Sequence, residues 1–245
     1  MHFIALRHVP MKTLIIIPAH NEEESLPGLL RELSGLGYDT LVVNDASSDR
    51  TAAVAAAHGS PVATLPANLG IGGAVQTGFK YAVRHNYDVA VQLDGDAQHN
   101  PVWLDNVLAP IRDGRADCVI GSRYTKEGFD VDYKTSFPRR MGMHFSTGIL
   151  MMATGLHITD TTSGFRALNR KAFTYFATDY PVEHPEAEAL CMLHRAGFRI
   201  TEVPVKMRGR AAGESLFTMS KAALYPYRVI LGFIGLAIKK RKIPR

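Results

Sequence analysis

Residues 89–99 read Val-Ala-Val-Gln-Leu-Asp-Gly-Asp-Ala-Gln-His, an apolar run that ends in two carboxylates spaced two positions apart. Side chains alternate in direction along an extended segment, so Asp94 and Asp96 can point the same way at the mouth of a strand. Two hard carboxylates around Gly95, with the amide oxygen of Gln98, suit Mg²⁺ or Mn²⁺. Because Mg²⁺ usually shares its coordination with phosphates, the stretch predicts a phosphorylated ligand; the alternative is a solvated Asp-Gly-Asp turn.

Three further apolar runs, over 14–17, 41–43 and 62–65, precede this one, and predicted helices separate all four. The longest of these helices is predicted over about 72–85. This alternation predicts parallel strands joined by right-handed helical crossovers. The predicted fold class is α/β, one Rossmann-like domain whose mostly parallel central sheet carries helices on both faces.

The rest of the chain carries less regular patterns, which still indicate strands and helices. Strands are predicted over 117–121, 162–168 and 200–205, and helices over 139–154 and about 185–196. Near the amino end, Asn21 stands three residues before Glu24, which predicts that Asn21 starts the first helix. No linker-like stretch divides these elements, so we expect one domain.

Polar residues follow each of the first four predicted strands. In a parallel sheet the carboxyl ends of the strands lie at one edge, and ligands bind in the crevice outside that edge. The convergence favours a nucleotide-type site, and it favours the metal interpretation of Asp94 and Asp96 over the turn. The polar stretches are 18–22, 44–51, 68–73 and 94–99.

A glycine-rich stretch over 70–78 tests two other nucleotide chemistries. A dinucleotide fingerprint starting at Gly70 would need a third glycine in place of Val75, and it would follow the first strand rather than the third. No glycine-rich loop ends in Lys-Ser or Lys-Thr, as the phosphate-binding loop of nucleoside triphosphatases does. Both observations weigh against hydride transfer and triphosphate hydrolysis.

The composition is that of a globular protein, with 46% hydrophobic and 21% charged residues among 245. Cys118 and Cys191 stand in apolar segments without metal-ligand spacing, which predicts buried thiols in a reducing compartment. The net charge of +5 is unevenly placed, because residues 239–245 carry five cations and no acid. A basic tail therefore follows directly on the apolar segment described next.

Residues 222–238 are apolar except for Arg228 and the tyrosines, and Pro226 interrupts them. A helix of this length would span roughly 25 Å, short of the ~30 Å hydrocarbon core of a bilayer. A central arginine would add roughly 2.5–3.5 kcal/mol to the cost of spanning it. We therefore expect a helix in the membrane interface, with its cations near anionic headgroups; the alternative is a terminal helix that packs on the core.

The expected organisation has three parts. The first residues lack the long apolar core of a secretory signal, so we expect a cytoplasmic protein, peripheral on the inner face of the membrane. The parts are an N-terminal extension over 1–10, a catalytic domain over 11–219 and a membrane-interface segment over 220–245.

Taken in order, these motifs resemble those of the family-two glycosyltransferases of the A-type fold. The resemblance runs essentially from Met11 to the end of the chain. Its specificity comes from eight short motifs that occur in the same order as in the family. Within the family the chain is most similar to the polyprenyl-phosphate sugar synthases, the dolichol-phosphate mannose synthase type. The matching pieces are 18–22, 42–51, 68–70, 93–99, 121–123, 160–166, 202–205 and 210–215.

This resemblance implies a sugar nucleotide donor, linked through UDP or GDP, and a bound Mg²⁺ or Mn²⁺. Asp94, Asp96 and Gln98 would hold the metal, which bridges the diphosphate and stabilises the leaving group. Arg210 would close over the diphosphate as a second cation, with help from Ser215, so Asp96 and Arg210 are the expected centre of catalysis. The donor-binding residues would be Pro18, Ala19, Glu22, Asp45, Asn68 and Gly70, with Asp45, Pro18 and Glu22 on the base and ribose.

A polyprenyl phosphate acceptor would bring an anionic head and a lipid tail. Arg123, Arg139 and Arg140 are the candidates for binding its phosphate. A phosphate is already ionised at neutral pH and needs little help from a general base. If the acceptor is a hydroxyl, Glu186 and Glu188 are the candidate bases; the alternative is that both only favour the start of a helix.

The sequence thus predicts an inverting, metal-dependent glycosyltransferase that moves a sugar to polyprenyl phosphate at the cytoplasmic membrane face. We expect binding to the membrane surface or to a separate membrane protein, and no nucleic-acid partner. One alternative keeps the fold but transfers the sugar to a hydroxyl of a polysaccharide or lipid-linked glycan. Another is a non-catalytic nucleotide-sugar-binding partner of a membrane protein, and a third is a nucleotidyltransferase.

Overall fold

Seven strands form one sheet in the computed structural model, which describes residues 11–125, 137–181, 185–208 and 219–238. The strands are β1 (Thr13–Ala19), β2 (Asp39–Asn44), β3 (Val62–Thr64), β4 (Val89–Gln92), β5 (Cys118–Ser122), β6 (Arg166–Asn169) and β7 (Ile200–Pro204). Their order across the sheet is β3-β2-β1-β4-β6-β5-β7. All neighbours are parallel except that β6 runs antiparallel to β4 and β5. The mostly parallel α/β sheet predicted from the sequence is confirmed.

Helices cover both faces of this sheet. They are α1 (Leu26–Ser34), α2 (Thr51–Ala57), α3 (Gly70–Arg84), α4 (Leu104–Arg112), α5 (Phe137–Thr154), α6 (Arg170–Thr178), α7 (Pro185–Arg195) and α8 (Met219–Ile238). Alternate residues of β1 face opposite sides: Leu14 and Ile16 pack with α3 and α6, while Ile15 and Ile17 pack with α1 and α4. Because both faces are covered, every residue of β1 is buried.

The start predicted for the first helix is wrong. Asn21 has a left-handed φ of 56°, and Ser25 occupies the cap position before α1. The side-chain oxygen of Asn21 instead accepts a hydrogen bond from the backbone N–H of Ser48 at 2.9 Å. Asn21 therefore joins the loops that follow β1 and β2, and the helix begins one turn later.

The strand predicted over 162–168 is shorter than expected. It begins only at Arg166, because the polar residues before it form a loop and do not pair with a neighbouring strand. In this loop the Ser163 hydroxyl donates to the carbonyl of Gly121 at 2.6 Å and accepts from the N–H of Phe165 at 3.2 Å. The loop before β6 thus lies at the edge of the sheet where the parallel strands end.

The last described helix, α8, packs on α5 and α7. Val229 and Leu236 are buried in this contact, and Arg195 at the end of α7 donates a hydrogen bond to the carbonyl of Leu236. One face of α8 is therefore part of the core. Within the described ranges, none of the helices combines the length and the apolar character needed to cross a membrane.

Candidate active site

A cavity of about 590 Å³ lies at the edge of the sheet where the parallel strands end. It is formed by the ends of β1, β2 and β4, the loops before α3 and β6, and the start of α7. The convergence of polar segments expected for a parallel sheet is therefore present. The residues predicted from the sequence that line it are Pro18, Ala19, Glu22, Asp45, Asn68, Gly70, Asp94, Asp96 and Glu186.

Asp45 fixes the loop before α3 against the end of β1. Its Oδ1 accepts a hydrogen bond from the backbone N–H of Leu69 at 2.7 Å, and its own N–H donates to the carbonyl of Ala19 at 2.9 Å. Asn68 Oδ1 accepts from the N–H of Gly70 at 3.0 Å, and Gly70 has a left-handed φ of 74°, which glycine adopts without strain. Three distant pieces of sequence thus form one wall of the cavity.

Ser25 joins this wall to the acidic motif. Its hydroxyl lies 2.5 Å from Glu22 Oε2 and 3.0 Å from the carbonyl of Gly95. Gly95 also lies close to β1, where a β-carbon would stand 3.1 Å from the carbonyl oxygen of Pro18. The ends of β1 and β4 are therefore held together at the floor of the cavity.

Asp94, just after β4, is held from three directions. His99 Nε2 lies 3.2 Å from its Oδ2, and the side-chain amide of Gln92 donates to its Oδ1 at 3.4 Å. From the third side the backbone of Gly164 comes so close that a β-carbon there would overlap the carboxylate oxygens. His99 is buried against Phe165, and its Nδ1 has no hydrogen-bond partner within the described ranges. The contacts give His99 the role of orienting Asp94.

The charge of Asp94 is set by its neighbours. Burial by itself would raise the pKa of this carboxyl, but the hydrogen bond and charge of His99 lower it, with smaller contributions from Gln92 and Arg166. Together they hold the pKa of Asp94 below its usual range. Asp94 is therefore ionised at neutral pH, as a ligand of a hard cation must be.

Asp96 is the second carboxylate on the cavity wall. Its Oδ1 accepts the backbone N–H of Gln98 at 3.1 Å, in a turn where Ala97 has a left-handed φ of 58°. Gln98 does not itself line the cavity, so its part in metal binding stays a prediction. Over the described part of the chain, no three His, Cys, Asp or Glu side chains gather into a metal site. The two carboxylates fit a cation that takes its remaining ligands from a diphosphate and water, as Mg²⁺ commonly does.

The two candidate bases on α7 lie in different surroundings. Glu186 lines the cavity. Glu188 packs against α8, where a β-carbon on Gly232 would overlap its carboxylate. Residues two apart on a helix lie on nearly opposite sides, because each residue turns the helix by about 100°. Of this pair, Glu186 is the one on the cavity wall.

Arg123 is buried and paired with Asp160, and it does not line the cavity. Its Nε and Nη2 donate to the two Asp160 oxygens at 2.6 and 2.7 Å, and Nη2 also donates to Thr162 Oγ1 at 2.8 Å. Burial would raise the pKa of Asp160, but the charge and hydrogen bonds of Arg123 lower it, so the pair stays ionised. Glu202 accepts the backbone N–H of Asp160 at 2.9 Å. This network fixes the loop before β6; binding of the acceptor phosphate by Arg123 stays a prediction.

The remaining predicted residues have little or no described structure. Arg140 is exposed near the start of α5. Arg139 lies in the same helix, but its side chain is outside the described part of the structure, and Arg210 and Ser215 lie outside the described residues altogether. Their contacts with the diphosphate or the acceptor stay predictions.

Three buried residues with long polar side chains, which the sequence pattern did not single out, also line the cavity: Gln92, Arg166 and Tyr180. Arg166 begins β6, and because β6 is antiparallel it begins at the edge where the parallel strands end. The direction of a strand leaves no mark on its residue pattern, so the signal for Arg166 was its place at the end of the family motif over 160–166. Gln92 did have a signal, since it is the polar residue of an apolar run and shares the face of Asp94 by alternation.

The family that shares this site is identified by comparison with known proteins. Residues 14–176 match the protein-family model described as Glycosyl transferase family 2. The chain belongs to glycosyl transferase family 2. It is therefore a glycosyltransferase, and its fold is the A-type fold predicted from the motif order.

Relatives of this family-two chain include two named enzymes. An undecaprenyl-phosphate mannosyltransferase of Micrococcus luteus is 37% identical over 217 residues, which cover 84% of this chain and 87% of that protein. A polyprenol monophosphomannose synthase of Mycolicibacterium smegmatis is 30% identical over 218 residues, which cover 83% of this chain and 80% of the relative. These names support the polyprenyl-phosphate branch of the family predicted from the motifs.

A solved structure supports the same fold. Glucosyl-3-phosphoglycerate synthase of Mycobacterium tuberculosis, in complex with Mn²⁺, UDP-glucose and phosphoglyceric acid, has a TM-score of 0.72 to this chain at 19% identity. The superposition covers 96% of this chain and 81% of that one. At this level of identity the likeness concerns the fold.

Proposed function

We propose that this family-two glycosyltransferase moves one sugar from a nucleotide diphosphate sugar to a polyprenyl phosphate, with inversion at the anomeric carbon. The observation that carries the proposal is a single cavity in which the wall held by Asp45 meets the carboxylates of Asp94 and Asp96. In a sugar nucleotide the diphosphate lies between the nucleoside and the sugar. The nucleoside would lie at the wall held by Asp45, and the diphosphate at the two carboxylates. The names of the relatives from M. luteus and M. smegmatis support polyprenyl phosphate as the acceptor.

Asp94 and Asp96 would hold Mg²⁺ or Mn²⁺ at the diphosphate of the donor. When bound, such a cation supplies positive charge to the diphosphate leaving group. The chain contributes fixed positions for the carboxylates, since His99 and Gln92 orient Asp94 and the backbone N–H of Gln98 holds Asp96. Groups held in this way need little rearrangement as charge develops in the transition state. Arg210, assigned from the family resemblance, would add a second positive charge there.

In the proposed reaction an oxygen of the acceptor phosphate attacks the anomeric carbon from the side opposite the diphosphate. A carbon–oxygen bond forms to the acceptor as the carbon–oxygen bond to the diphosphate breaks, and the electron pair leaves with the nucleoside diphosphate. The in-line geometry inverts the anomeric configuration. The attacking phosphate is already ionised, so no base has to remove a proton from it.

The position of Glu186 favours one second candidate, transfer of the sugar to a hydroxyl of a polysaccharide or lipid-linked glycan. A hydroxyl must lose its proton as it attacks, and a carboxylate on the cavity wall suits that task. The two candidates share the donor site and differ in their dependence on Glu186.

We also propose that α8 places the enzyme on the cytoplasmic face of the membrane. Its large exposed apolar residues recur at i, i+3, i+4, i+7 and i+11 and so form one helical face, opposite the face packed on α5 and α7. They are Tyr227, Ile230, Leu231, Ile234 and Ile238. The five cations of residues 239–245 follow this face in the sequence, and anionic headgroups attract such cations by roughly 1 kcal/mol each. An apolar face next to a basic segment suits a helix in the membrane interface.

The reaction is tested with purified protein, Mg²⁺ or Mn²⁺, and a panel of UDP- and GDP-linked sugars, with and without undecaprenyl phosphate in detergent. We expect lipid-dependent release of nucleoside diphosphate together with a glycolipid product. Asp96→Asn should lower this release about a hundred- to a thousandfold. Asp113→Asn, at an exposed acid paired with Arg115, is the matched control and should leave it unchanged.

Other outcomes of this assay separate the alternatives. Donor binding without lipid-stimulated release would reject polyprenyl phosphate as the acceptor. Release that is stimulated by a glycan instead would support the hydroxyl acceptor, and binding with no transfer to any acceptor would support a non-catalytic role. Pyrophosphate release from a nucleoside triphosphate would identify a nucleotidyltransferase.

A further inference from the structure

The order of the strands aligns the parts of the cavity. β2, β1, β4 and β6 are neighbours in that order, and Asp45, Pro18, Asp94 and Arg166 stand at or next to their respective ends at one edge of the sheet. Neighbouring strands are about 4.8 Å apart, so the cavity runs for about 14 Å across these four ends. A sugar nucleotide with its nucleoside over β2 and β1 and its diphosphate at Asp94 therefore has its sugar over β6.

Tyr180 forms the wall of the cavity at this β6 end. It is only 6% exposed, and its ring packs edge-on against Phe79 and Phe176, with centroid distances of 5.6 and 4.8 Å. Within the ranges that the structure describes, its hydroxyl forms no hydrogen bond. A rigidly held ring thus presents an unbonded polar group to the cavity.

The chemistry around this hydroxyl indicates what it binds. Because Tyr180 lines the cavity, its hydroxyl is open to a bound ligand, whose polar group can complete the hydrogen bond. Burial raises the pKa of Tyr180 above its ordinary value; the charge of Arg166 opposes this rise, and Cys118, Asp94 and Glu186 add to it, so the phenol is a neutral donor. The hydroxyl groups of the sugar over β6 can accept such a hydrogen bond.

We propose that the Tyr180 hydroxyl bonds a hydroxyl group of the transferred sugar and thereby determines which sugar the enzyme accepts. Gln92, buried at the same end, supplies a second polar group. Arg166 is a positioning residue, since its Nε and Nη2 donate to the carbonyls of Ser163 and Thr161 at 2.9 and 2.6 Å. The inference rests on the proposed function, from which the sugar nucleotide donor is taken.

Titration calorimetry with GDP-mannose and UDP-glucose, each compared with its nucleoside diphosphate, tests this assignment. Tyr180→Phe removes the hydroxyl and keeps the ring between its aromatic neighbours. For the donor that the wild type prefers, we expect the ratio of the sugar nucleotide Kd to the diphosphate Kd to rise about three- to tenfold. The diphosphate Kd should stay within about twofold. Tyr175→Phe is the matched control, because Tyr175 packs on Phe198 outside the cavity, and it should leave the ratio unchanged.

Monodeoxy analogues of the preferred donor identify the sugar hydroxyl that is bonded. The wild type should bind one of them about three- to tenfold more weakly than the parent donor, and Tyr180→Phe should bind that analogue and the parent equally. An unchanged ratio, an equal loss for the sugar nucleotide and the bare diphosphate, or an effect only on the KM of polyprenyl phosphate would overturn the assignment. These ratios do not involve the acceptor, so failure of lipid transfer rejects the proposed function without deciding this inference.

Discussion

The donor half and the transfer half of the cavity are held together by different means. In the donor half, over β1 and β2, the wall is fixed by hydrogen bonds between loop backbone and single side chains, such as that from Leu69 to Asp45. In the transfer half, around the loop before β6, the wall is fixed by buried charges, chiefly the Arg123–Asp160 pair. Buried charges are sensitive to the loss of a partner in a way that loop hydrogen bonds are not. The two halves should therefore respond differently to mutation and to pH.

Asp160→Asn should give the largest effect, because it leaves the Arg123 charge buried without its counter-ion. We expect the free energy of unfolding to fall by about 3–5 kcal/mol, measured by urea denaturation. Asp105→Asn is the matched control, since Asp105 pairs with Arg112 at the surface, where an ion pair contributes at most about 1 kcal/mol. Equal losses for the two variants would mean that charge does not hold the transfer half.

The pH dependence of unfolding sharpens this test. The pKa of Asp160 is lowered by folding, so its contribution to stability is present above the ordinary value of 3.8 and is lost as the pH falls through the lowered pKa. Urea midpoints measured from neutral pH to about pH 3 should therefore fall more steeply for the wild type than for Asp160→Asn. Parallel profiles would contradict an ionised Asp160 in the folded protein.

The second prediction concerns the place where the two halves touch. Gly164 belongs to the transfer half, and a β-carbon there would overlap the Asp94 carboxylate, so Gly164→Ala should displace Asp94. A displacement of about 1 Å at a catalytic group costs about a hundredfold, and we expect a loss of that size in kcat for sugar transfer. Gly148→Ala, at a helix position with open space, is the control. Full activity in Gly164→Ala would mean that the position of Asp94 is not critical.

The same contrast explains how far the sequence predicts this site. In the donor half each motif directly follows a buried parallel strand, and the ends of such strands meet at one edge whatever the loop details are. The pattern alone predicts that the stretches containing Pro18, Asp45 and Asp94 meet at this edge, and all three residues line the cavity. The helix start predicted at Asn21 was wrong, because a polar side chain can bond a neighbouring loop as easily as its own helix.

The transfer half is built from an antiparallel strand and from loops. Its sequence pattern therefore carried less information about which side chains reach the cavity. Arg166 reaches the cavity only because β6 reverses direction. Tyr180 follows α6, a helix that the pattern did not indicate, although Asn169 caps it by accepting the N–H of Ala172 at 3.0 Å. Arg123 looked like a ligand for phosphate, but its bonds to Asp160 depend on a contact between residues 37 positions apart. Contacts of this kind are set by the tertiary fold rather than by local pattern.

The smallest expected effect is also the one that separates the two acceptors. If the nucleophile is a phosphate, Glu186→Gln should lower kcat less than about tenfold, because no proton has to be removed. A hydroxyl acceptor would need a base, and the same variant should then lose about a hundred- to ten-thousandfold in kcat with donor affinity unchanged. Glu188→Gln is the matched control on the same helix, since Glu188 packs on Gly232 of α8 and not on the cavity. A large loss of kcat in Glu188→Gln with none in Glu186→Gln would contradict the separation of the two carboxylates. It would also contradict the arrangement in which α7 presents one face to the transfer half and the other to α8.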